Sequence, residues 1–177
     1  NLNPTSYGHA NLNFLLENDL IPAEARENFK ITVESLLMRI EPMFNGINNI
    51  RIHGDCHFGN VLWTPDGATF LDFDDMANGP AVQDIWMLVP GYDEHARLQR
   101  EVLIEAYESF REFNRQELRL IEPLRALRYI HYASWIARRW EDPIFKRTFE
   151  YFGTVQYWQK ETLDLREQIG RIDMLVY

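Results

Sequence analysis

Cysteine is nearly missing from this sequence: Cys56 is the only one in 177 residues, so no disulfide can form within the chain. Proteins of reducing compartments typically lack such cross-links, and the sequence therefore favours a cytoplasmic location. Basic residues are also scarce, since 18 Lys and Arg stand against 27 Asp and Glu and give a formal charge of −9. A surface of this sign repels a phosphate backbone, which argues against a nucleic-acid partner.

Long apolar runs are missing as well. No uncharged stretch approaches the roughly 18 residues that a membrane-spanning helix needs, so we expect no membrane association. Hydrophobic residues nevertheless make up 46% of the chain, and aromatic residues 14%. This content is enough to bury a core, and the length suits one globular domain.

The spacing of apolar residues predicts several helices joined by short connections. The helical pattern covers residues 9–18, 23–44, 82–89, 95–112, 117–140 and 154–170. Between the second and third of these helices the pattern changes to that of strands, at residues 50–52, 60–63 and 69–71. In the helix at 95–112, the apolar residues that share one stripe are Leu98, Val102, Ala106 and Phe110. We therefore predict a mostly α-helical α+β fold that carries one small β-hairpin.

A polar cluster lies in the strand region. Residues 53–60 read His-Gly-Asp-Cys-His-Phe-Gly-Asn, and Asp72 follows Asn60 by twelve residues. In protein kinases the catalytic loop has His, any residue, Asp, then four residues and Asn, and a second Asp comes after a short hairpin. The residues with this order and spacing are His53, Asp55, Asn60 and Asp72. The pattern predicts Asp55 as the catalytic base for a substrate hydroxyl, and Asn60 with Asp72 as magnesium ligands.

The hairpin explains how Asn60 and Asp72 can meet. The sequence Thr-Pro-Asp-Gly-Ala at 64–68 has strong turn chemistry and joins two strand-like segments. Both residues then lie near the open end of one hairpin, within reach of one metal ion. On a helix the same spacing would separate them by about 18 Å.

Three neighbours of the cluster have two interpretations each. His53 either braces the loop by hydrogen bonds or acts as a base, and the kinase pattern favours bracing. His57 either hydrogen-bonds the oxygens of the transferred phosphate or packs structurally. Asp84 stands beside an apolar helix face; we favour a role in accepting hydrogen bonds from backbone N–H groups of residues 53–55 over an exposed position on the helix.

Other metal chemistry is disfavoured. His53, Cys56 and His57 are close in sequence, but a structural zinc site needs four ligands and the sequence has no second pair of Cys or His residues. Cys56 fits a small buried thiol better than a redox switch. Asp74 could add to a magnesium site, whereas Asp75 fits a solvated charge.

Three segments carry a family resemblance: residues 53–60, residues 70–75 (Phe-Leu-Asp-Phe-Asp-Asp) and residues 79–86 (Gly-Pro-Ala-Val-Gln-Asp-Ile-Trp). Together they resemble the aminoglycoside phosphotransferase and choline kinase superfamily, and most of all its branch of bacterial stress response kinase A proteins. The resemblance implies a protein-kinase-like fold and a cytoplasmic kinase that uses ATP and Mg²⁺ to phosphorylate Ser or Thr hydroxyls of proteins. By position, Asp55 resembles the proton acceptor of the family, and Asn60 and Asp72 resemble its metal ligands.

The family also has an N-terminal lobe, with a loop that covers the nucleotide and a Lys that contacts ATP. No glycine-rich strand–turn–strand precedes residue 53, and Lys30 lies in a helical pattern. The resemblance therefore implies that residues 1–177 form the C-terminal, catalytic-loop lobe alone. We expect little phosphoryl transfer from this lobe by itself, because positioning and charge neutralisation of the phosphates supply most of the catalysis.

Two other functions stay open on the sequence. The same chemistry could act on a small-molecule acceptor such as an aminoglycoside, choline or a sugar alcohol, and the net negative charge suits a cationic one. The fold could also serve as a non-catalytic regulatory domain. The intact Asp55, Asn60 and Asp72 argue against that second alternative.

Overall fold

The computed structural model describes residues 1–175, which form two compact units. The first, here called the hairpin unit, comprises Asn1–Leu2 and Gly46–Ile121. The second, called the helical unit, comprises Asn3–Asn45 and the chain from Glu122 onward. The interpretation of the chain as a single catalytic lobe stays a prediction.

The helices lie largely where the apolar spacing predicts them. They are α1 (Ala10–Glu17), α2 (Ala23–Ile40), α3 (Val82–Leu88), α4 (Glu94–Glu108), α5 (Ile121–Arg138), α6 (Pro143–Thr148) and α7 (Val155–Leu175). Shorter helical turns occupy Pro4–His9, Glu41–Phe44, Phe58–Asn60 and Arg115–Leu120. Within residues 1–175, none of the helices is long and apolar enough to cross a membrane.

Two small antiparallel sheets lie in the hairpin unit. The strands are β1 (Ile50–Ile52), β2 (Val61–Thr64), β3 (Gly67–Phe70) and β4 (Ala77–Gly79). β2 and β3 form the predicted hairpin, with Val61 opposite Phe70. β1 pairs with β4, with Ile52 opposite Ala77. The prediction of a mostly helical α+β fold with a small hairpin is confirmed, whereas β4 is an addition, because Ala-Asn-Gly has little strand propensity of its own.

One helix, α6, is not predicted by the spacing of the apolar residues. α6 is only six residues long, too short for a helical period to be recognised. Its start signal is nevertheless in the sequence, because Asp142 caps the helix by accepting a hydrogen bond from the backbone N–H of Ile144 at 2.8 Å. Pro143 follows in the first helical turn, where a missing N–H costs nothing.

Helix α4 buries a different face from the one that carries its apolar stripe. Leu98, Val102 and Phe110 of this stripe are 52%, 65% and 93% exposed. The residues of α4 that are buried are Ala96 and Ile104. The helix also ends at Glu108, before Phe110, so it is shorter than the predicted span of 95–112.

The core of the helical unit forms where α2 packs on α7. Phe29 of α2 meets Trp158 of α7 edge to face, with 5.0 Å between the ring centroids, and both side chains are fully buried. Leu37 of α2 is also fully buried. A Cβ atom on Gly8 would lie 2.3 Å from Cδ2 of Leu37, so a larger residue at position 8 would force the Leu37 side chain to shift within the core.

Replacing Leu37 with alanine tests this core. We expect Leu37→Ala to lower the free energy of unfolding by about 2–5 kcal/mol, because it leaves a cavity in a packed interior. The neighbouring Met38 is 69% exposed, so Met38→Ala should stay within about 0.5 kcal/mol of the unmodified chain. Urea unfolding followed by circular dichroism measures both, and equal losses in the two variants would contradict the packing.

The raised pKa of Glu161 on α7 predicts that the stability of the helical unit depends on pH. Burial raises the pKa of Glu161 to about 7, and the nearby Asp164 carboxylate acts in the same direction. An acid with a raised pKa in the folded state contributes stability that is complete below its unfolded pKa near 4.5 and is lost as the pH rises through 7.

We therefore expect the unmodified chain to lose more unfolding free energy than Glu161→Gln when the pH is raised from below 4.5 to above 7. The exposed Glu150 offers the control, since Glu150→Gln should keep the original pH dependence. Thermal or urea unfolding across this pH range measures the effect. If the unfolding free energy of the unmodified chain and of Glu161→Gln changes equally with pH, Glu161 is not the source of the pH dependence.

Candidate active site

The polar cluster is built on the loop between β1 and β2. The loop turns tightly, because the N–H of His57 donates to the carbonyl of Asp55 and the N–H of Asn60 donates to the carbonyl of His57, each at 2.9 Å. Asn60 ends a short helical turn and stands directly before β2. The loop thus holds Asp55 and Asn60 at the two ends of a compact backbone segment.

Glycine at position 54 allows the segment after β3 to approach this loop. Gly54 has φ +88°, a conformation that side chains disfavour, and a Cβ atom there would lie 2.3 Å from the backbone oxygen of Asp75. Any other residue would therefore push the two segments apart. This close approach brings the stretch that contains Asp72 against the loop that contains Asp55.

Asp84 on α3 braces the loop from within the hairpin unit. Its Oδ2 accepts from the backbone N–H of His53 at 2.8 Å, and its Oδ1 accepts from that of Gly54 at 2.9 Å. These are the contacts that we expected of Asp84 from the sequence. Burial raises the pKa of the Asp84 carboxyl, while the two N–H donors act in the opposite direction.

Two further polar residues support the same arrangement and were missed in the sequence. Gln83 is buried; its Nε2 donates to the carbonyl of Gly54 at 3.0 Å, and its Oε1 accepts from Nε1 of Trp86 at 2.9 Å.

Glu117 is also buried and accepts from the backbone N–H of Val82 at 3.1 Å, which satisfies a donor at the start of α3. The signal for Gln83 was its place beside Asp84 on an apolar helix, whereas Glu117 lies too far away in sequence to be connected to Val82.

His53 links the loop to the segment after β3. Its Nε2 lies 2.8 Å from the carbonyl oxygen of Leu71. The imidazole also packs on Phe73, with 4.8 Å between the ring centroids. His53 is buried, and these contacts fit the bracing interpretation better than that of a catalytic base.

Asp55, Asn60 and His57 lie together on the loop. Nδ2 of Asn60 donates to the backbone oxygen of Asp55 at 3.0 Å and lies 3.4 Å from its Oδ2. Because the amide nitrogen faces Asp55, the amide oxygen of Asn60 is available to a cation. Nε2 of His57 lies 3.4 Å from Oδ2 of Asp55, and its Nδ1 accepts from the N–H of Gly59 at 3.0 Å.

Asp72 stands at the open end of the hairpin beside Asn60. The N–H of Leu71 donates to the carbonyl of Asn60 at 2.9 Å, which extends the hydrogen bonding of β2 and β3 up to Asp72. Asp72 has φ 59°, an uncommon conformation for a residue with a side chain, and such outliers concentrate at functional sites. Its side chain is exposed and makes no hydrogen bond or ion pair with residues 1–175.

The oxygens of Asn60 and Asp72 suit magnesium rather than zinc. Mg²⁺ is usually held by one or two protein oxygens together with waters and phosphate oxygens, and an amide and a carboxylate form such a pair. Among the described residues, no three Cys, His, Asp or Glu side chains form a group that could hold a metal ion. Asp74 and Asp75 are exposed beside this pair.

The thiol of Cys56 has low reactivity in this environment. The side chain is buried, and burial, followed by the charges of Asp84 and Asp55, raises the pKa of the Cys56 thiol to about 12. The thiolate is the reactive form of cysteine, and its population is therefore very low. This favours the structural interpretation of Cys56 over the redox switch.

Comparison with known proteins identifies the family of the chain and some of its relatives. Residues 10–121 match the phosphotransferase enzyme family. The chain is also similar to proteins named stress response kinase A in Salmonella typhi and Escherichia coli (strain K12), and to one named serine/threonine protein kinase RdoA in Salmonella typhimurium (strain LT2). Each is 44% identical over 150 residues, which cover 84% of this chain and 45% of the relative. The chain thus spans about half the length of these relatives.

Substitution of Asp84 tests the brace. We expect Asp84→Ala to lower the free energy of unfolding by about 2–4 kcal/mol, because it leaves two buried N–H groups without acceptors. Asp84→Asn keeps one acceptor oxygen and should lose less. Asp66→Ala, in the exposed hairpin turn, is the control and should change stability by less than about 0.5 kcal/mol. If Asp84→Ala is as stable as Asp66→Ala in urea unfolding, Asp84 does not hold the loop.

Proposed function

Because the chain belongs to the phosphotransferase enzyme family, we propose that it forms the catalytic-loop lobe of a kinase that uses ATP and Mg²⁺ to phosphorylate Ser or Thr hydroxyls of proteins. One observation carries this proposal. Asp55 and Asn60 are hydrogen-bonded on one loop, and the segment that contains Asp72 is held against that loop by Gly54 and His53. A base and two oxygen ligands are the groups that phosphoryl transfer requires.

In the proposed reaction, Asp55 accepts the proton of the acceptor hydroxyl. The hydroxyl oxygen forms a bond to the γ-phosphorus while the bond from that phosphorus to the oxygen of ADP breaks, so the products are a phosphate ester and ADP. The carboxylate of Asp55 is partly shielded from water, with 19% of its side chain exposed, and can be approached by a hydroxyl from outside. His57 lies beside it as a hydrogen-bond donor for a phosphate oxygen.

Asn60 and Asp72 are the proposed ligands of magnesium. When bound, the ion would neutralise charge on the β- and γ-phosphate oxygens. The backbone hydrogen bond between Leu71 and Asn60 holds the chain on either side of the two ligands together, and the hydrogen bond of the Asn60 amide nitrogen to Asp55 leaves the amide oxygen for the ion. Asp72 has no competing partner among the described residues and is free to bind a cation.

Apolar side chains around the site support a nucleotide or a second protein surface there. The exposed large apolar residues of the hairpin and its flanks are Phe58, Leu62, Trp63, Phe70, Leu71 and Phe73. Exposed apolar side chains on both faces of a small two-stranded hairpin support contact with a ligand or with another part of the complete protein. The flat base of ATP is one ligand that suits it.

Protein acceptors are proposed from the relatives. Two of them are named stress response kinase A and one is named a serine/threonine protein kinase. Since the chain spans about half their length, we propose that the nucleotide-covering lobe and its Lys belong to the rest of the complete protein. On this basis residues 1–177 alone should transfer phosphate poorly, and a cytoplasmic location remains part of the proposal.

Two substitutions in the complete protein separate the proposed roles. Asp55→Ala should reduce turnover at least about 100-fold, because it removes the base, and should leave Mg²⁺–ATP binding largely intact. Asp72→Ala should instead weaken nucleotide binding in the presence of Mg²⁺, because it removes a ligand of the ion. Asp66→Ala is the matched control and should change neither.

The measurements are radiolabelled phosphate transfer to a generic protein acceptor and calorimetric titration with ATP, with and without Mg²⁺. Full turnover by Asp55→Ala would exclude it as the base. Unchanged Mg²⁺-dependent binding by Asp72→Ala would exclude it as a ligand. Transfer to small alcohols but not to proteins would keep the chemistry and change the acceptor.

A further inference from the structure

The side-chain amide of Gln83 is hydrogen-bonded at both ends in the interior of the hairpin unit. The residue is 3% exposed. Its Nε2 lies 3.0 Å from the carbonyl oxygen of Gly54 and 3.1 Å from the sulfur of Met87, and its Oε1 lies 2.9 Å from Nε1 of Trp86. A buried amide costs free energy unless it is hydrogen-bonded, so these partners hold the side chain in one place.

Trp86 determines which end of the amide faces the catalytic loop. The indole Nε1 can only donate a hydrogen bond, so the atom of Gln83 beside it is the oxygen. The nitrogen is then turned toward Gly54, whose carbonyl oxygen can only accept. The opposite orientation of the amide would place donor against donor and acceptor against acceptor. Gln83 therefore donates to Gly54.

The carbonyl that Gln83 holds belongs to the peptide between Gly54 and Asp55. A peptide group is planar, so a hydrogen bond to its oxygen also sets the direction of its N–H, which is that of Asp55. Glycine tolerates many backbone conformations, and Gly54 already has φ +88°, so local sterics do not determine how this peptide is turned. A contact from outside the loop is needed to set its orientation, and Gln83 on α3 supplies one.

The peptides on either side of this one have partners of their own. The N–H of Gly54 donates to Oδ1 of Asp84 at 2.9 Å. The carbonyl oxygen of Asp55 accepts from the N–H of His57 at 2.9 Å and from Nδ2 of Asn60 at 3.0 Å. Asp55 thus stands between two hydrogen-bonded peptides, and the direction of its Cα–Cβ bond follows from both.

We propose that Gln83 is a positioning residue for the carboxylate of Asp55, because it holds the peptide that precedes this residue. The proposal rests on the proposed role of Asp55 as the base. A displacement of about 1 Å can lower the rate of a positioned reaction about 100-fold. Asn60 contacts the other peptide of Asp55, and Asp72 belongs to a different segment, so the proposed metal ligands keep their places when the contact of Gln83 is lost.

Gln83→Met tests this role in the complete protein, because methionine has a similar shape and cannot donate to Gly54. Single-turnover transfer of phosphate to a protein acceptor at saturating Mg²⁺–ATP should be slowed by about 10- to 100-fold. The affinity for Mg²⁺–ATP in calorimetric titration should stay within about threefold, since the proposed ligands of the ion are not moved. Gln99→Met, at an exposed position of α4, is the control and should change neither quantity.

The outcomes separate this proposal from the kinase function. Unchanged transfer by a folded Gln83→Met would overturn the positioning role, and so would equal losses of transfer and of Mg²⁺–ATP binding, which a general support of the site would produce. If the unmodified complete protein transfers phosphate to no acceptor, the kinase function is rejected instead, and the positioning of Asp55 is decided by the orientation of its peptide.

That orientation can be measured in the 177-residue chain without turnover. The residual dipolar coupling of the Asp55 N–H reports the direction of the Gly54–Asp55 peptide. Gln83→Met should change this coupling and leave those of β2 and β3 unaltered, whereas Gln99→Met should alter none of them. If Gln83→Met does not fold, a scalar coupling between Nε2 of Gln83 and the carbonyl carbon of Gly54 in the unmodified chain gives the answer. An unaltered Asp55 coupling in the folded variant, or no scalar coupling across the hydrogen bond, would contradict the proposal.

Discussion

The candidate site depends on one interaction: the half-buried carboxylate of Asp84 accepts hydrogen bonds from two backbone N–H groups. It ties the start of the loop, His53 and Gly54, to α3. A second buried acid, Glu117, satisfies the first N–H of that helix. The loop is therefore positioned by two carboxyl groups, one buried and one half-buried, in surroundings where hydrogen bonds to carboxylates are strong and misplacement is costly. A rigid support of this kind is what a base and metal ligands need.

The candidate site is assembled from two segments that are separate in sequence. Three contacts join them: the hydrogen bond from His53 to Leu71, the packing of the His53 ring at a tilt against Phe73 and the close passage of Asp75 over Gly54. Two loop residues make these contacts: Gly54 leaves room for the backbone of Asp75, and the imidazole of His53 both hydrogen-bonds the carbonyl of Leu71 and packs on Phe73. The spacing between Asp55 and Asp72 thus follows from packing as well as from the length of the hairpin.

Local chemistry explains what the sequence could predict. The hairpin, the loop and the role of Asp84 follow from turn residues, alternation and one charge beside an apolar face, all within short stretches. The parts that could not be predicted depend on distant partners. β4 forms only because β1 is available to pair with it, and Glu117 meets Val82 across 35 residues. The exposure of Leu98 on α4 shows the same limit, because periodicity identifies a stripe but not the face that the rest of the chain covers.

The exposed apolar residues of α4 affect the association of copies of this chain in solution. Leu98 and Val102 of α4, and Phe110 just beyond its end, expose apolar surface to water, while the whole chain carries a formal charge of −9. At low ionic strength mutual repulsion keeps copies apart. Added salt shortens the screening length to about 8 Å near 0.15 M. The repulsion between copies is then weaker, whereas the attraction between their exposed apolar side chains remains. We therefore expect residues 1–177 to associate more readily as the ionic strength rises.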